Sequence, residues 1–282
     1  MSAAGTPLTE WIGRRETAED EATRWPVTAL AATLDVPCAA SKRGDAIPPG
    51  WHWLYFLEAK PPAELGPDGH PHRGGFLPPV PLPRRMWAGG RLVFHDPLRI
   101  GDAIRRESEI VSVSAKHGKT GELVFVTVRH TITAGERLAV VEEHDIVYRE
   151  AAKPGDAPVE PRPAPAGAAW RREVAPDPVL LFRYSALTFN GHRIHYDLDY
   201  VRNEEHYPGL IVHGPLQTML MLELCRAHDA RPVTKLDYRA MHPVFHTGHF
   251  TVNGGLQPDR AHADVWTANA AGAYAMTGTV TF

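Results

Sequence analysis

The chain has 282 residues, enough for one large core or two domains of ordinary size. Hydrophobic residues make up 43% and charged residues 22%, a balance that excludes a disordered chain and a membrane protein. The formal net charge is -3 and no basic cluster could neutralise a row of phosphates, so nucleic acid is not an expected partner. The polar start and the lack of a long apolar stretch predict a cytoplasmic chain without membrane contact.

The first half of the chain predicts one helix followed by strands. Residues 23–35 (TRWPVTALAATLD) enter a helical pattern through a proline, and the proline-rich residues 48–97 are expected to form an ordered loop. Three alternating or β-branched stretches follow at residues 105–114, 122–132 and 137–149. The short turn-forming segments between them predict an antiparallel meander.

Residues 151–169 (AAKPGDAPVEPRPAPAGAA) predict a linker. They hold five prolines and almost no large apolar residue, so they cannot bury a core and should be semi-extended. The linker separates a predicted N-terminal domain, residues 1–150, from a predicted C-terminal domain, residues 170–282.

The second half predicts a loop-rich segment to about Gly209, then a helix and four strands. The helix at residues 215–228 (PLQTMLMLELCRAH) is apolar on nearly every face, which is typical of a helix enclosed by its fold. Gly214 is expected to cap it and Pro215 suits its first position. The candidate strands are at residues 233–240, 244–253, 261–268 and 273–282. Each half therefore predicts one buried helix and an antiparallel sheet, an α+β architecture.

The densest group of polar residues lies directly before Gly214. It includes Asn190, His192, Arg193 and His195. A backbone N–H at a helix start can polarise a carbonyl oxygen, and a neutral histidine can remove or deliver a proton. These are the groups that thioester chemistry requires.

Two segments resemble the hydratase motif of the MaoC-like hot-dog enzymes. The stretch F-N-G-H-R-I-H ends at His195, and I-V-H-G-P-L follows at residues 211–216. The family has a G-D-x-N-P-x-H loop and a later H-G helix start. Residues 51–95 look like its double hot-dog subgroup, which includes mesaconyl-C4-CoA hydratases, itaconyl-CoA hydratases and type 2 hydroxyacyl-thioester dehydratases. The resemblance implies two antiparallel sheets, each wrapped around a central helix, and a hydro-lyase that adds water reversibly to an enoyl-CoA.

The resemblance also implies roles for three residues. His195 matches the catalytic histidine, and Gly214 matches the glycine whose N–H faces the thioester oxygen. The family aspartate is here Asn190, and an amide cannot exchange a proton as a carboxylic acid does. We expect Asn190 to hold the attacking water while His195 serves as the main base and acid.

Four further residues are candidates for binding the substrate: Arg193, His192, Arg183 and His213. A guanidinium of Arg193 or Arg183 would suit a free carboxylate on a dicarboxylic acyl group. The expected substrate is a branched C5 thioester, mesaconyl-C4-CoA or itaconyl-CoA, giving citramalyl-CoA. We expect no metal and no cofactor, because coenzyme A is part of the substrate, and a homodimer is the expected assembly.

The same residues also allow other interpretations. His192 and His195 could be metal ligands with Glu204 or Asp197 as a third. The chain could be an (R)-3-hydroxyacyl-thioester dehydratase for longer unbranched chains or a thioesterase. A module that only binds acyl-CoA is a further alternative, which the departure at Asn190 favours. The fold alone cannot separate these activities.

Overall fold

The first half of the chain forms one helix and five strands. A computed structural model describes residues 7–38, 40–72, 74–118, 121–150 and 161–282. The elements of the first half are β1 (Arg15–Glu21), α1 (Arg24–Leu34), β2 (Arg84–Phe94), β3 (Ala103–Gly118), β4 (Gly121–Ala134) and β5 (Arg137–Arg149). Short 3-10 turns lie at Leu8–Trp11, Trp51–Leu54 and Pro62–Glu64.

The second half repeats the five strands and adds two helices. Its elements are β6 (Trp170–Val174), α2 (Pro178–Leu187), α3 (Leu198–Asn203), α4 (Gly214–His228), β7 (Lys235–Ala240), β8 (Phe250–Leu256), β9 (His262–Ala268) and β10 (Tyr274–Thr281). A 3-10 turn at Arg193–His195 precedes α3.

The described strands form one antiparallel sheet in the order β1-β3-β4-β5-β2-β7-β10-β9-β8-β6. Read from its outer edge, each half has the same order, so β1 to β5 correspond to β6 to β10. The halves meet where β2 pairs with β7, with Gly90 opposite Tyr238. The predicted double hot-dog architecture of the α+β class is confirmed, and its two sheets are joined edge to edge.

Helix α4 is the enclosed helix that its composition predicts. Residues 216–225 are all buried, and the helix packs against β8 and β9. His213 is the N-cap and Gly214 is already the first helical residue. The predicted cap at Gly214 is therefore wrong by one position, because the extended backbone ends at His213.

Helix α1 is less enclosed than predicted. Its buried residues lie on one face (Val27, Leu30, Ala31 and Leu34), and this helix packs against α2. Trp25 at its start is 73% exposed. The first half therefore lacks a helix as deeply buried as α4.

Several elements differ from the sequence predictions. Strand β2 lies inside the region predicted as a loop, because no proline stands between Pro83 and Pro97 and each residue from Arg84 to Phe94 has an N–H for pairing. The charged strand β1, with β6 and α2, was not predicted; β1 is an edge strand paired only to β3 among the described residues. Residues 244–249 precede β8 and are not part of it.

Most of the predicted linker, residues 151–160, lies outside the described residues. Within the remainder, the Ala164 N–H donates to the Gly272 carbonyl, and Pro163 forms an isolated bridge with Ala273. The proposed domain boundaries stay predictions. Among the helices that the structure describes, none is long and apolar enough to cross a membrane.

Candidate active site

A cavity of about 1520 Å³ is lined by both halves of the molecule. The first half lines it with β2, β4 and β5 and with the loops before β2. The second half lines it with α2, the segment 188–196 and the start of α4. The predicted catalytic residues His195, Asn190 and Gly214 all line this one cavity.

His195 is held as a neutral ring in one tautomer. It ends the 3-10 turn Arg193–His195 and is buried. Its Nδ1–H donates to the Ile211 carbonyl at 2.7 Å, and a carbonyl can only accept, so Nε2 carries the free lone pair. Burial lowers the pKa of His195 to about 4, so the ring is neutral near pH 7.

His213 lies behind His195. The two rings stack with centroids 3.6 Å apart, and His213 Nε2 lies 2.8 Å from the Ser185 hydroxyl oxygen. His213 is buried and is not part of the cavity lining; burial holds its pKa well below the ordinary value. The structure therefore gives His213 a position that supports His195, in place of the predicted contact with substrate.

Asn190 shapes the turn that carries the histidines. Its backbone N–H donates to the Ser185 carbonyl at 2.8 Å, and its side-chain oxygen accepts from the His192 N–H at 3.0 Å. The preceding Phe189 has a φ of 48°, a left-handed turn conformation. With its oxygen occupied, Asn190 can offer its amide NH2 group to a molecule in the cavity.

Gly214 places a backbone donor at the cavity. As the first residue of α4 it has no carbonyl partner within the helix, and its N–H has no backbone acceptor elsewhere among the described residues, so this donor can serve a ligand. The nearest atoms to a built Cβ are Met276 Cε at 3.7 Å and Trp87 Cβ at 3.8 Å. A helix N-terminus stabilises negative charge, which suits an oxygen that becomes anionic. Gln217, one turn later, also lines the cavity.

His192 forms a cluster with Asp68 and His70 of the first half. The His70 and His192 ring centroids are 4.0 Å apart, and His70 Nδ1 lies 3.1 Å from Asp68 Oδ2. Burial, followed by the nearby histidines, lowers the pKa of His192 to about 2. The three ligand atoms lie within 4.8 Å of one another, a donor set that could hold a divalent metal.

Asp197 is not a third ligand beside His192 and His195, because it has other partners. One Asp197 oxygen accepts from the Tyr200 N–H in the first turn of α3, and the other accepts from the Arg193 guanidinium. The described side chains that could hold a metal together with His192 are therefore those of Asp68 and His70.

The structure places Arg193 and Arg183 outside the large cavity. The Arg193 guanidinium bonds Asp197 and the Pro67 carbonyl and lies over the Tyr200 ring. Arg183 is exposed on the other side of α2, where it lines a separate small cavity. Neither side chain lines the cavity that holds His195, and their contact with substrate stays a prediction.

The first half contributes a polar wall to the cavity, which the sequence analysis did not predict. His52, His130, Glu142 and His144 line it. The buried Glu142 accepts from His52 Nε2 and from the Trp53 indole N–H, both at 3.1 Å. The hydrogen bond from His52 and the neighbouring histidine rings outweigh burial and lower the pKa of Glu142 to about 2, so it is ionised. The alternation of Glu142 and His144 along β5 was the sequence pattern that could have predicted this wall.

A neutral histidine base and a helix N-terminus at one cavity of a double hot-dog fold define a hydro-lyase of the hydratase and dehydratase class. A family model described as "Hydroxyacyl-thioester dehydratase type 2" matches residues 50–246. The chain belongs to this family.

Two curated relatives agree with this membership. The chain is 48% identical over 270 residues to "Mesaconyl-C(4)-CoA hydratase" of Chloroflexus aurantiacus, a match that covers 96% of each chain. It is 28% identical over 254 residues to a mitochondrial hydroxyacyl-thioester dehydratase type 2 of Schizosaccharomyces pombe, covering 78% of this chain and 83% of the relative.

Solved structures show the same fold. A MaoC-like dehydratase from Phytophthora capsici matches with a TM-score of 0.73 at 11% identity, and the match covers 98% of both chains. A Mycobacterium tuberculosis protein described as a double hot-dog fold matches with a TM-score of 0.57 at 14% identity, covering 96% of both chains.

Proposed function

We propose that this chain hydrates mesaconyl-C4-CoA reversibly to citramalyl-CoA. The observation that carries the proposal is the pairing of a neutral His195, with its Nε2 lone pair free, and the unpartnered Gly214 N–H at one cavity. The 48% identity to a mesaconyl-C4-CoA hydratase over nearly the whole chain supports this substrate. Itaconyl-CoA, whose hydration gives the same product, is the second candidate substrate.

One base is sufficient for the reaction. His195 Nε2 removes a proton from water, and the hydroxide oxygen bonds to the β-carbon of the enoyl thioester. The electron pair of the double bond moves to the thioester oxygen, where the Gly214 N–H and the α4 dipole stabilise the enolate. The protonated His195 then delivers the proton to the α-carbon, so one water molecule is added in full.

The other residues of the loop orient the reactants. Asn190 holds the water through its amide group, and His213 fixes the plane of the His195 ring by stacking on it. No step requires a metal or a cofactor, and coenzyme A enters as part of the substrate. The first half of the chain shapes the acyl pocket and the second half carries the chemistry.

The polar wall favours a short polar acyl group over a long unbranched chain. The ionised Glu142 and the rings of His52 and His130 line the cavity, and hydrocarbon placed against them would strip water from these groups. This observation favours a short acyl group over the long-chain (R)-3-hydroxyacyl substrate.

The experiment follows the enoyl-thioester absorbance with mesaconyl-C4-CoA and crotonyl-CoA, and it follows the hydration of itaconyl-CoA, whose double bond is not conjugated to the thioester, by chromatography. The wild-type protein should consume a dicarboxylic substrate, and His195→Ala should lower kcat by about 10²- to 10⁴-fold. His249→Ala is the matched control, because His249 is exposed and pairs with Glu173 on the surface, so its kcat should stay near wild type. Binding of all three thioesters without hydration would favour a binding module, and release of free thiol would favour a thioesterase.

We also propose a cytoplasmic location and a homodimer. Cys38 and Cys225 are both free thiols, as expected of a reducing compartment. Exposed apolar side chains on α1 and α2, namely Trp25, Val179 and Phe182, support a surface covered by a second copy. Light scattering coupled to size-exclusion chromatography tests the dimer, and a mass of 31.1 kDa would contradict it.

A further inference from the structure

Strands β2 and β5 of the first half both contribute side chains to the cavity wall. On β2, Arg85 is opposite Tyr148 and Trp87 is opposite Ile146. Because side chains alternate along a strand, Arg85 and Trp87 share a face with Tyr148, Ile146 and His144 of β5, and all five line the cavity.

Arg85 differs from its neighbours because it lacks an acidic partner. Arg84 pairs with Glu205 at 3.2 Å, and Arg106 lies 4.0 Å from Glu16. No acidic group or other hydrogen-bond acceptor in the described parts of the chain contacts the half-buried Arg85 guanidinium. A guanidinium with all its donors free at a cavity wall is suited to bind a carboxylate from the ligand.

His144 offers a second donor on the same wall. Its Nε2 atom is buried and has no hydrogen-bond partner among the described residues. Its ring stacks on Trp87 with centroids 3.7 Å apart. Trp87 Cβ in turn lies 3.8 Å from the built Cβ position of Gly214. His144 is therefore one aromatic ring away from the helix N-terminus that is proposed to hold the thioester oxygen.

The charge of Arg85 reaches both sides of the catalytic cleft. Burial lowers the pKa of His144 to about 4 against the opposing charges of Glu142 and Asp145, and the positive charge of Arg85 is a smaller cause in the same direction as burial. The same charge contributes to the low pKa of His192, after burial and the neighbouring histidines. Arg85 thus lies within electrostatic range of the catalytic loop and of the opposite wall.

The other end of the polar wall is unsuitable for an anion. Glu142 is ionised there, and its oxygens already accept hydrogen bonds from His52 and Trp53. A second carboxylate beside it would meet a like charge in a buried environment, which is costly. The wall therefore divides into an anion-repelling end at Glu142 and an anion-attracting end at Arg85.

We propose that Arg85, with His144 Nε2 as a second donor, binds the free carboxylate of a dicarboxylic enoyl thioester. The proposal rests on the proposed hydration of mesaconyl-C4-CoA and names the residues that select its acyl group. In that substrate the carboxylate is bonded to the β-carbon, so it must lie close to both the thioester carbonyl and the attacking water. Only a subsite adjacent to Gly214 and His195 meets this requirement.

The test compares two thioesters that differ in one group. 3-Methylcrotonyl-CoA carries a methyl group where mesaconyl-C4-CoA carries its carboxylate. In Arg85→Met, kcat/KM for mesaconyl-C4-CoA should fall by about 30-fold or more, because a buried charge pair is lost. The value for 3-methylcrotonyl-CoA, where the wild type turns it over, should change by less than about threefold. Arg85→Lys should recover part of the loss, since the charge returns without the bidentate fork.

Arg239→Met is the matched control, because Arg239 also lines the cavity and has no ion-pair partner among the described residues, but it is exposed. This variant should leave the preference between the two thioesters unchanged. Equal losses for both thioesters in Arg85→Met would overturn the proposal and assign Arg85 to coenzyme A or to folding.

Calorimetry in the His195→Ala background separates this proposal from the proposed function. There, Arg85→Met should weaken binding of mesaconyl-C4-CoA by a similar factor and leave 3-methylcrotonyl-CoA unaffected. If the wild type binds mesaconyl-C4-CoA through Arg85 but does not hydrate it, the proposed function fails and the carboxylate subsite stands. If Arg85→Met leaves the binding of mesaconyl-C4-CoA unchanged, the subsite is refuted whatever the turnover.

Discussion

The two hot-dog halves have the same strand order but use their helices differently. In the second half, α4 is enclosed by the sheet and its first residue, Gly214, opens into the cavity. In the first half, α1 is four residues shorter, buries one face and packs against α2. The carbonyl of its N-cap, Thr23, accepts a hydrogen bond from the Tyr55 hydroxyl at 2.7 Å. One half thus offers a helix terminus to the substrate, whereas the other offers the side chains of its sheet.

The duplicated strand order is therefore not accompanied by duplicated chemical groups at the cavity. A helix terminus supplies a fixed backbone dipole, which stabilises charge on any thioester oxygen. Side chains on a sheet distinguish one acyl group from another, because each can be cationic, anionic or apolar. We expect changes at α4 to alter the rate for all substrates and changes on β2 and β5 to alter selectivity or stability.

The largest effect is expected from removing the α4 donor. Gly214→Pro deletes the N–H, and proline is well tolerated at the first helical position. The extended backbone of His213, with ψ at 134°, also suits a residue before proline. We expect kcat of the folded variant to fall by about 10²- to 10³-fold on every thioester that the enzyme uses.

Gly214→Ala is the control for that variant. It keeps the N–H, and the nearest atom to the new Cβ would be 3.7 Å away, an ordinary contact. Its kcat should stay near wild type. A Gly214→Pro enzyme with normal kcat, measured in steady-state assays, would break the assignment of oxyanion stabilisation to the second half.

A smaller effect, on stability, is expected from the polar wall of the first half. Glu142→Leu leaves His52 Nε2 and the Trp53 N–H buried without their acceptor, so the free energy of unfolding should fall by about 2–4 kcal/mol. Glu143→Leu is the matched control: Glu143 pairs with Arg91 and Arg129 in partly exposed positions, so it should cost about 1 kcal/mol or less. Urea denaturation measures both.

The pH dependence of stability sharpens this prediction. The pKa of Glu142 is lowered to about 2 in the folded protein, so its contribution is present above the ordinary carboxyl pKa. That contribution is lost as the pH falls towards 2. The wild-type protein should therefore lose stability over this range more steeply than Glu142→Leu. Parallel acid profiles for the two proteins would show that Glu142 is not an ionised partner of His52.

The smallest expected effect concerns the pH profile of the reaction. His195 acts as a base only when neutral, so the rate should fall as the pH drops through its folded pKa of about 4. The acidic limb of kcat/KM should thus lie well below the ordinary histidine pKa of about 6.5. An inflection of kcat/KM between pH 6 and 7 would contradict a fully buried His195 as the base.

The sequence predicts the second half of the site better than the first, for a physical reason. His195, Asn190 and Gly214 lie within one local segment, so their spacing carries the information. The wall at Glu142 depends on the register of β4 and β5, which sets His130 opposite Glu142, and on His52 from a distant loop. Such non-local placement cannot be read from spacing along the chain.

The arginine predictions illustrate the same limit. Arg193 is adjacent to the motif in sequence, yet its guanidinium pairs with Asp197. Arg85 lies over 100 residues earlier, in a proline-rich region that was predicted to be a loop. The pairing of β2 with β5 nevertheless places Arg85 at the cavity. Proximity along the chain pointed to Arg193, whereas the cavity wall holds Arg85, because the direction of a side chain is set by its element.

The pairing of β2 with β7 makes the two halves dependent on each other for solubility. A fragment of either half would end in a bare strand edge, with the backbone groups of Gly89 to Val93 or of Lys235 to Arg239 unpaired. Such edges are templates for aggregation. Cleavage within the connecting segment should thus be tolerated while the fragments stay together, yet separately produced halves should precipitate unless they are refolded as a mixture.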